Sequence, residues 1–144
     1  MRRMRFAHSE RGAAMVEFAI VLPLLLLLVF GIIDFGRALY TLNNLTSAVR
    51  EGGRYAAANV DDPTTTAAID AVKAKVTADV IAFGGNPQDP TVTVVPDAPY
   101  PATQSITVSI VDYPFTPLTP LASMIGLGSI TMSPSAVFRW EGAQ

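Results

Sequence analysis

The sequence predicts an α+β chain in which a long N-terminal transmembrane helix extends into a small domain with a second helix and about three antiparallel strands. Three patterns predict it. Residues 18–33 carry no charge, and with residues 13–17 included the run reaches the ~20 residues that a helix needs to cross a bilayer. Apolar residues then recur at helical spacing as far as residue 58, and again from Ile69 to Phe83. After Asn86-Pro87 the period shortens to the two-residue alternation of strands. The chain divides accordingly into a basic leader over 1–12, a helix over 13–58 and an outer α+β domain over 59–144.

The bulk numbers narrow the function classes. With a spanning segment at one end, 144 residues leave length for one small outer domain. A net charge of −2 provides no basic surface, so no nucleic-acid partner is expected. Cysteine is absent, which excludes disulfides and thiolate metal sites. Orientation follows from Arg2, Arg3, Arg5 and Arg11, which all precede the span, whereas Asp34 and Arg37 nearly cancel behind it. The basic end should therefore stay in the cytoplasm and the rest should face outward.

The spanning helix carries one anomaly, Glu17, near the start of its apolar run. A carboxylate inside a span costs roughly 2.5 to 3.5 kcal/mol on insertion scales, so a functional reason is the default hypothesis. The bland alternative is an acid at the interface whose side chain simply reaches water. A removable secretory signal would need an A-x-A site close behind the apolar core. Here Asp34-Phe35-Gly36-Arg37 follows the core, and the nearest alanine triplet begins at Ala56. In front of the core, Gly12-Ala13-Ala14 offers a flexible peptide that a membrane-embedded protease could reach from the cytoplasmic side, removing the leader and keeping the helix.

Gly12, four residues, then Glu17-Phe18, between a basic leader and a long apolar helix, resembles the prepilin cleavage motif of type IV pilins. Ile33-Asp34-Phe35-Gly36-Arg37 and Ala48-Val49-Arg50-Glu51-Gly52-Gly53-Arg54-Tyr55-Ala56 sharpen this into a resemblance to the TadE-like minor pilins, or pseudopilins, of Tad (Flp) pili, covering about residues 11–57. The resemblance implies a single-pass protein of the bacterial cytoplasmic membrane, cut between Gly12 and Ala13 by a prepilin peptidase. Glu17 would become the fifth residue of the mature chain and Phe18 the sixth, serving assembly and recognition. It also implies other pilin subunits and the Tad secretion and assembly machinery as partners, a possible place in the fibre after processing, and adhesion and biofilm formation as the cellular role. Cleavage would expose a new amine on Ala13, one helical turn from a carboxylate that can pair with it in low dielectric. The rival reading is an uncleaved, single-pass anchored binding or scaffold module facing outward.

Pro23 removes one backbone bond within the span, and a local kink is expected there. It reads equally as a hinge or as the ordinary toleration of proline in membrane helices. Gly31 and Gly36 could permit close helix contact, but not at the four-residue step of the familiar dimer motif. Beyond the membrane, Leu39, Leu42, Leu45, Val49 and Ala56 form an apolar stripe that continues the same helix.

Asp61-Asp62-Pro63 should end that helix and start the next, with an acidic cap and a first-turn proline. Ile69, Val72, Val76, Val80 and Phe83 form the second helix's core stripe, which should end at Gly84-Gly85. Strands are expected over 91–95 and 105–111, joined as a hairpin through the turn-rich stretch 96–101. The prolines of Tyr113-Pro114-Phe115-Thr116-Pro117-Leu118-Thr119-Pro120 argue against regular structure there. A short helical turn is expected over 121–125, ending at Gly126 and Gly128. Residues 129–140 then alternate as a last strand, with Pro134 marking an edge or a bulge.

Catalytic chemistry finds no support. The one histidine, His8, sits in the leader, and the outer acids lie singly or in turns, with Asp61-Asp62 better read as a cap than as a dyad. The alternating carboxylates of a calcium loop and the lysine of a phosphate-binding loop are both missing. No enzyme activity, metal, cofactor or small-molecule substrate is expected.

Overall fold

The computed structural model describes residues 10–86, 90–119, 126 and 128–140. Helix α1 (Glu10–Asn59) is unbroken over 50 residues, about 75 Å at 1.5 Å per residue, and continues through Pro23. Its two halves have different surroundings. No residue from 12 to 37 is buried in the chain, and exposed leucines, isoleucines and phenylalanines cover that half on all sides. The half beyond Leu45 is a core helix, with Leu45, Ala48, Val49 and Ala56 at 2% exposure or less. The stripe expected on this helix is thereby corrected at its start, since Leu39 and Leu42 are exposed and burial begins at Leu45. The outer domain reaches back along one face of α1 as far as Ala38 and Asp34, and Leu39 and Leu42 lie off that face.

Helix α2 (Thr66–Ala82) follows a connection that differs from the expected acidic cap. Thr65 is the N-cap and its hydroxyl accepts from the Ala68 N–H at 3.3 Å. Asp62 instead closes the turn before the helix, its Oδ1 accepting from the Thr64 N–H at 2.9 Å and from the Thr64 hydroxyl at 2.6 Å. Pro63 is fully buried in that turn rather than in a first helical turn. A threonine can take the cap because its short hydroxyl reaches the same orphan donors as an aspartate. The helix ends as expected at Gly84, whose φ of +84° suits glycine, with the Gly85 N–H closing on the Val80 carbonyl at 2.9 Å. Val72, Val76 and Val80 are buried and Ile69 partly so, whereas Phe83 at the helix end is exposed.

Five short strands form two sheets. The first has the order β1 (Thr91–Pro96), β2 (Ser105–Val111), β5 (Ser135–Arg139), all antiparallel. The second pairs β3 (Tyr113–Phe115) with β4 (Ile130–Met132). Val92, Val94, Ile106, Val108 and Ile110 turn inward, and α1 and α2 together cover that face. Each fully buried valine or isoleucine contributes about 1.5–3 kcal/mol, so this face supplies much of the stability. The expected hairpin of β1 and β2 is present, with the Asp97 carboxylate accepting the Gln104 N–H at 2.9 Å across its connection.

Two expectations about the strands are corrected. Tyr113-Pro114-Phe115 is a strand despite its proline, because a two-stranded ladder has open edges where a missing N–H leaves no partner unsatisfied. The single last strand is two strands, β4 and β5, split at Ser133-Pro134. Asp112, at φ +52° between β2 and β3, lies opposite that split. Its N–H donates to the Ser133 hydroxyl at 3.1 Å, and the Ile110 N–H donates to the Pro134 carbonyl at 3.0 Å. The two sheets are thus one long hairpin bent at a shared corner. Aspartate is among the residues that tolerate this left-handed conformation as a single residue. The helical turn expected over 121–125 lies outside the described residues.

Trp140 closes the domain. Its indole N–H donates to the Val60 carbonyl at 3.0 Å, and its ring meets Tyr100 edge to face at 5.9 Å. The end of β5 is thereby tied to the connection between the helices.

Candidate functional site

Gly12, Ala13, Glu17, Phe18 and Pro23 all lie along the first turns of α1, and all are exposed. Ala13 and Glu17 are four residues apart and so share a helix face, while Phe18 projects beside them with 62% of its surface open. No hydrogen bond or ion pair among the described residues reaches the Glu17 carboxylate. Among the described residues, none of the five is buried against the outer domain. One expectation is corrected here. The Gly12-Ala13 peptide is helical rather than flexible, because α1 begins at Glu10. The first turn has unpaired N–H groups and contains a glycine, so it is the part of the helix that frays most readily.

The second cluster was not read as a site from the sequence. Asp34, the first residue beyond the apolar run, accepts from the Leu118 N–H at 2.9 Å, the Thr119 N–H at 3.2 Å and the Thr119 hydroxyl. Arg37, one turn on, lies 3.4 Å from the same carboxylate and places its guanidinium 5.6 Å from the centre of the Phe115 ring. Ile33-Asp34-Phe35-Gly36-Arg37 is thus a clasp that holds β3 and the following loop against the helix where it leaves the apolar segment. The Thr119 hydroxyl and then the Leu118 N–H hold the Asp34 carboxyl below its ordinary value of 3.8. A depressed folded pKa stabilises the charged, clasped form above the ordinary value, and this contribution is lost as pH falls through the lower folded value. The amide signals of Leu118 and Thr119 should therefore hold steady from neutral pH down to about pH 4 and shift below it, and Asp34→Ala should abolish that titration. Amides that titrate alike in both proteins would rule the clasp out.

The third group is the face of Ala48, Val49, Gly52, Gly53 and Ala56 on the buried side of α1. A Cβ on Gly52 would stand 2.2 Å from Val76 of α2, and one on Gly53 would stand 1.9 Å from the Phe138 ring of β5. These two glycines are seats for the second helix and the last strand. Arg50, Glu51 and Arg54 occupy the opposite side, with a surface pair of 3.5 Å between Glu51 and Arg54.

Residues 12–54 match the family model for TadE-like proteins. This bears out the resemblance drawn from the sequence over that segment. The matched segment holds Gly12 and Glu17, Asp34 and Arg37 of the clasp, and the Gly52-Gly53 seats, while Ala56 lies just beyond it. Helix α2 and both sheets fall outside the matched segment. Searches of curated proteins and of solved structures found no match.

A groove of about 220 Å³ lies between the TadE-like segment, the end of α2 and Tyr113, lined by Arg37, Tyr40, Asn44 and Phe83 among others. Among the described residues there is no group of histidine, cysteine or acids able to hold a metal. The described residues that line it include no acid–base pair.

Proposed function

We propose that the chain is a membrane-inserted minor pilin or pseudopilin of a Tad (Flp) pilus, cut after Gly12 by a prepilin peptidase, with roles in pilus assembly, adhesion and biofilm formation. Its basic end faces the cytoplasm and its α+β domain lies outside. The observation that carries this reading is Glu17, an exposed acid with no partner among the described residues, on a helix face that is otherwise apolar from Ala13 to Leu24. Such a group gains from assembly, because the amine released on Ala13 of the same or a neighbouring subunit can neutralise it away from water. Leu24, Leu25, Ile32 and Phe35, all more than half exposed, supply a surface on which lipid can be exchanged for neighbouring helices. Gly31 and Gly36, with open space where a Cβ would stand, let such helices approach closely.

One observation favours the rival reading of an uncleaved anchored module: the Gly12-Ala13 bond is helical, and a peptidase must unwind it first. Mass spectrometry of the chain extracted from membranes that contain a prepilin peptidase decides between them. The expected mature chain begins at Ala13, and Gly12→Leu should leave residues 1–12 in place and prevent entry into fibres. An intact Met1 end in the unaltered chain would favour the anchored module.

A further inference from the structure

We propose that the loop over residues 116–119 rests on the outer surface of the bilayer that α1 crosses, with the Leu118 side chain inserted among the lipids. The inference rests on α1 being a membrane span, and it does not depend on removal of the leader.

Depth is the first argument. Asp34 directly follows the apolar run, and its carboxylate takes hydrogen bonds from Leu118 and Thr119, so the loop is held within a side chain's reach of that helix turn. A bilayer's polar layer adds about 5–7 Å to each side of its hydrocarbon core, and residues 34–37 rise only about 6 Å along the helix. Any placement of α1 that buries residues 18–33 therefore sets the loop at the membrane interface.

Chemistry is the second. Leu118 is 73% exposed, whereas Phe115, three residues earlier, is turned inward at 5%. The sequence carries no charge from residue 113 to residue 138, so nothing on this part of the chain opposes contact with lipid. Around the clasp, Phe35 and Tyr40 are 65% and 60% exposed on α1, the kind of aromatic side chains that settle at the interface. Arg37 sets its guanidinium over the Phe115 ring and beside the Asp34 carboxylate, which holds this charge at the helix turn where the loop sits. Two attachments to one bilayer, the span and the loop, would fix the rotation of the outer domain about α1.

The absence of cysteine makes a depth measurement direct. Single cysteines at Leu118, at Leu26 in the span and at Asp70 on α2 would each carry a nitroxide, in the full chain reconstituted at one copy per phosphatidylcholine–phosphatidylglycerol nanodisc. Collisions with oxygen should exceed those with a water-soluble nickel chelate at Leu26 and, at shallower depth, at Leu118, while Asp70 should show the reverse. Adding Asp34→Ala to the Leu118 label should move it toward the nickel-favoured pattern. A Leu118 label that behaves like Asp70, or one shielded from both agents by protein, would overturn the proposal while Leu26 still reports lipid. A Leu26 label in water would instead remove the membrane span on which the proposal rests.

Discussion

Gly53→Val is expected to detach β5 from the long helix and to lower the stability of the outer domain by about 3 kcal/mol or more, at the upper end of overpacking costs. The physical reason is distance. A Cβ at this position would lie 1.9 to 2.7 Å from three carbons of the Phe138 ring, where carbon atoms settle about 3.5–4 Å apart. The ring cannot simply swing away, because Phe138 pairs with Ile106 in the ladder and β5 is anchored at its end by Trp140. Such a loss is a large part of a stability that is typically 5–15 kcal/mol in total. Alanine at the same position is the sharper test, because it should improve the helix by up to about 1 kcal/mol and yet still destabilise the protein. Gly36→Ala, which meets nothing within 4 Å, should be neutral or stabilising. Thermal unfolding of the detergent-solubilised chain measures all three. Pairing Gly53→Ala with Phe138→Leu should recover part of the loss, and a strictly additive pair would show that the ring is not the obstacle.

Glu17→Gln should move two quantities in opposite directions. Removing a charge from an apolar run makes membrane insertion easier, so the amount of chain in the membrane should hold or rise. Entry into fibres should fall sharply, because glutamine cannot neutralise the amine freed on Ala13. Quantifying the chain in membrane and sheared-fibre fractions reads both at once. Equal fibre output from the two proteins would show that the carboxylate has no part in docking. Glu17→Asp keeps the charge but shortens the reach, so it should fall between them.

Much of the fold was legible before any coordinates. The unbroken helix, the second helix ending at Gly84 and the β1–β2 hairpin all follow from periods of 3.6 and 2 that a single stretch of chain displays. The spacing of Gly12, Glu17 and Phe18 stands out in the same local way, as a departure from the pattern of one stretch of chain. What escaped was set by partners far along the chain. Pro114 argues against a strand until its partner shows that it sits in a ladder of two. Leu39 and Leu42 carry the right spacing for a core but lie off the helix face, Ala38 to Leu45, that the outer domain covers.

Asp34 shows the division most clearly. By sequence it is a charge at the end of a span, nearly cancelled by Arg37. Only the folded chain brings Leu118 and Thr119 to it, across 84 and 85 residues. The sequence by itself determined the two helices, the long apolar run and the β1–β2 hairpin, since those depend on residue type and on spacing along the chain. Tertiary structure alone decided which glycines are seats, where the hairpin bends and what the Asp34 carboxylate holds. Those depend on contacts between distant segments, and no local period encodes them.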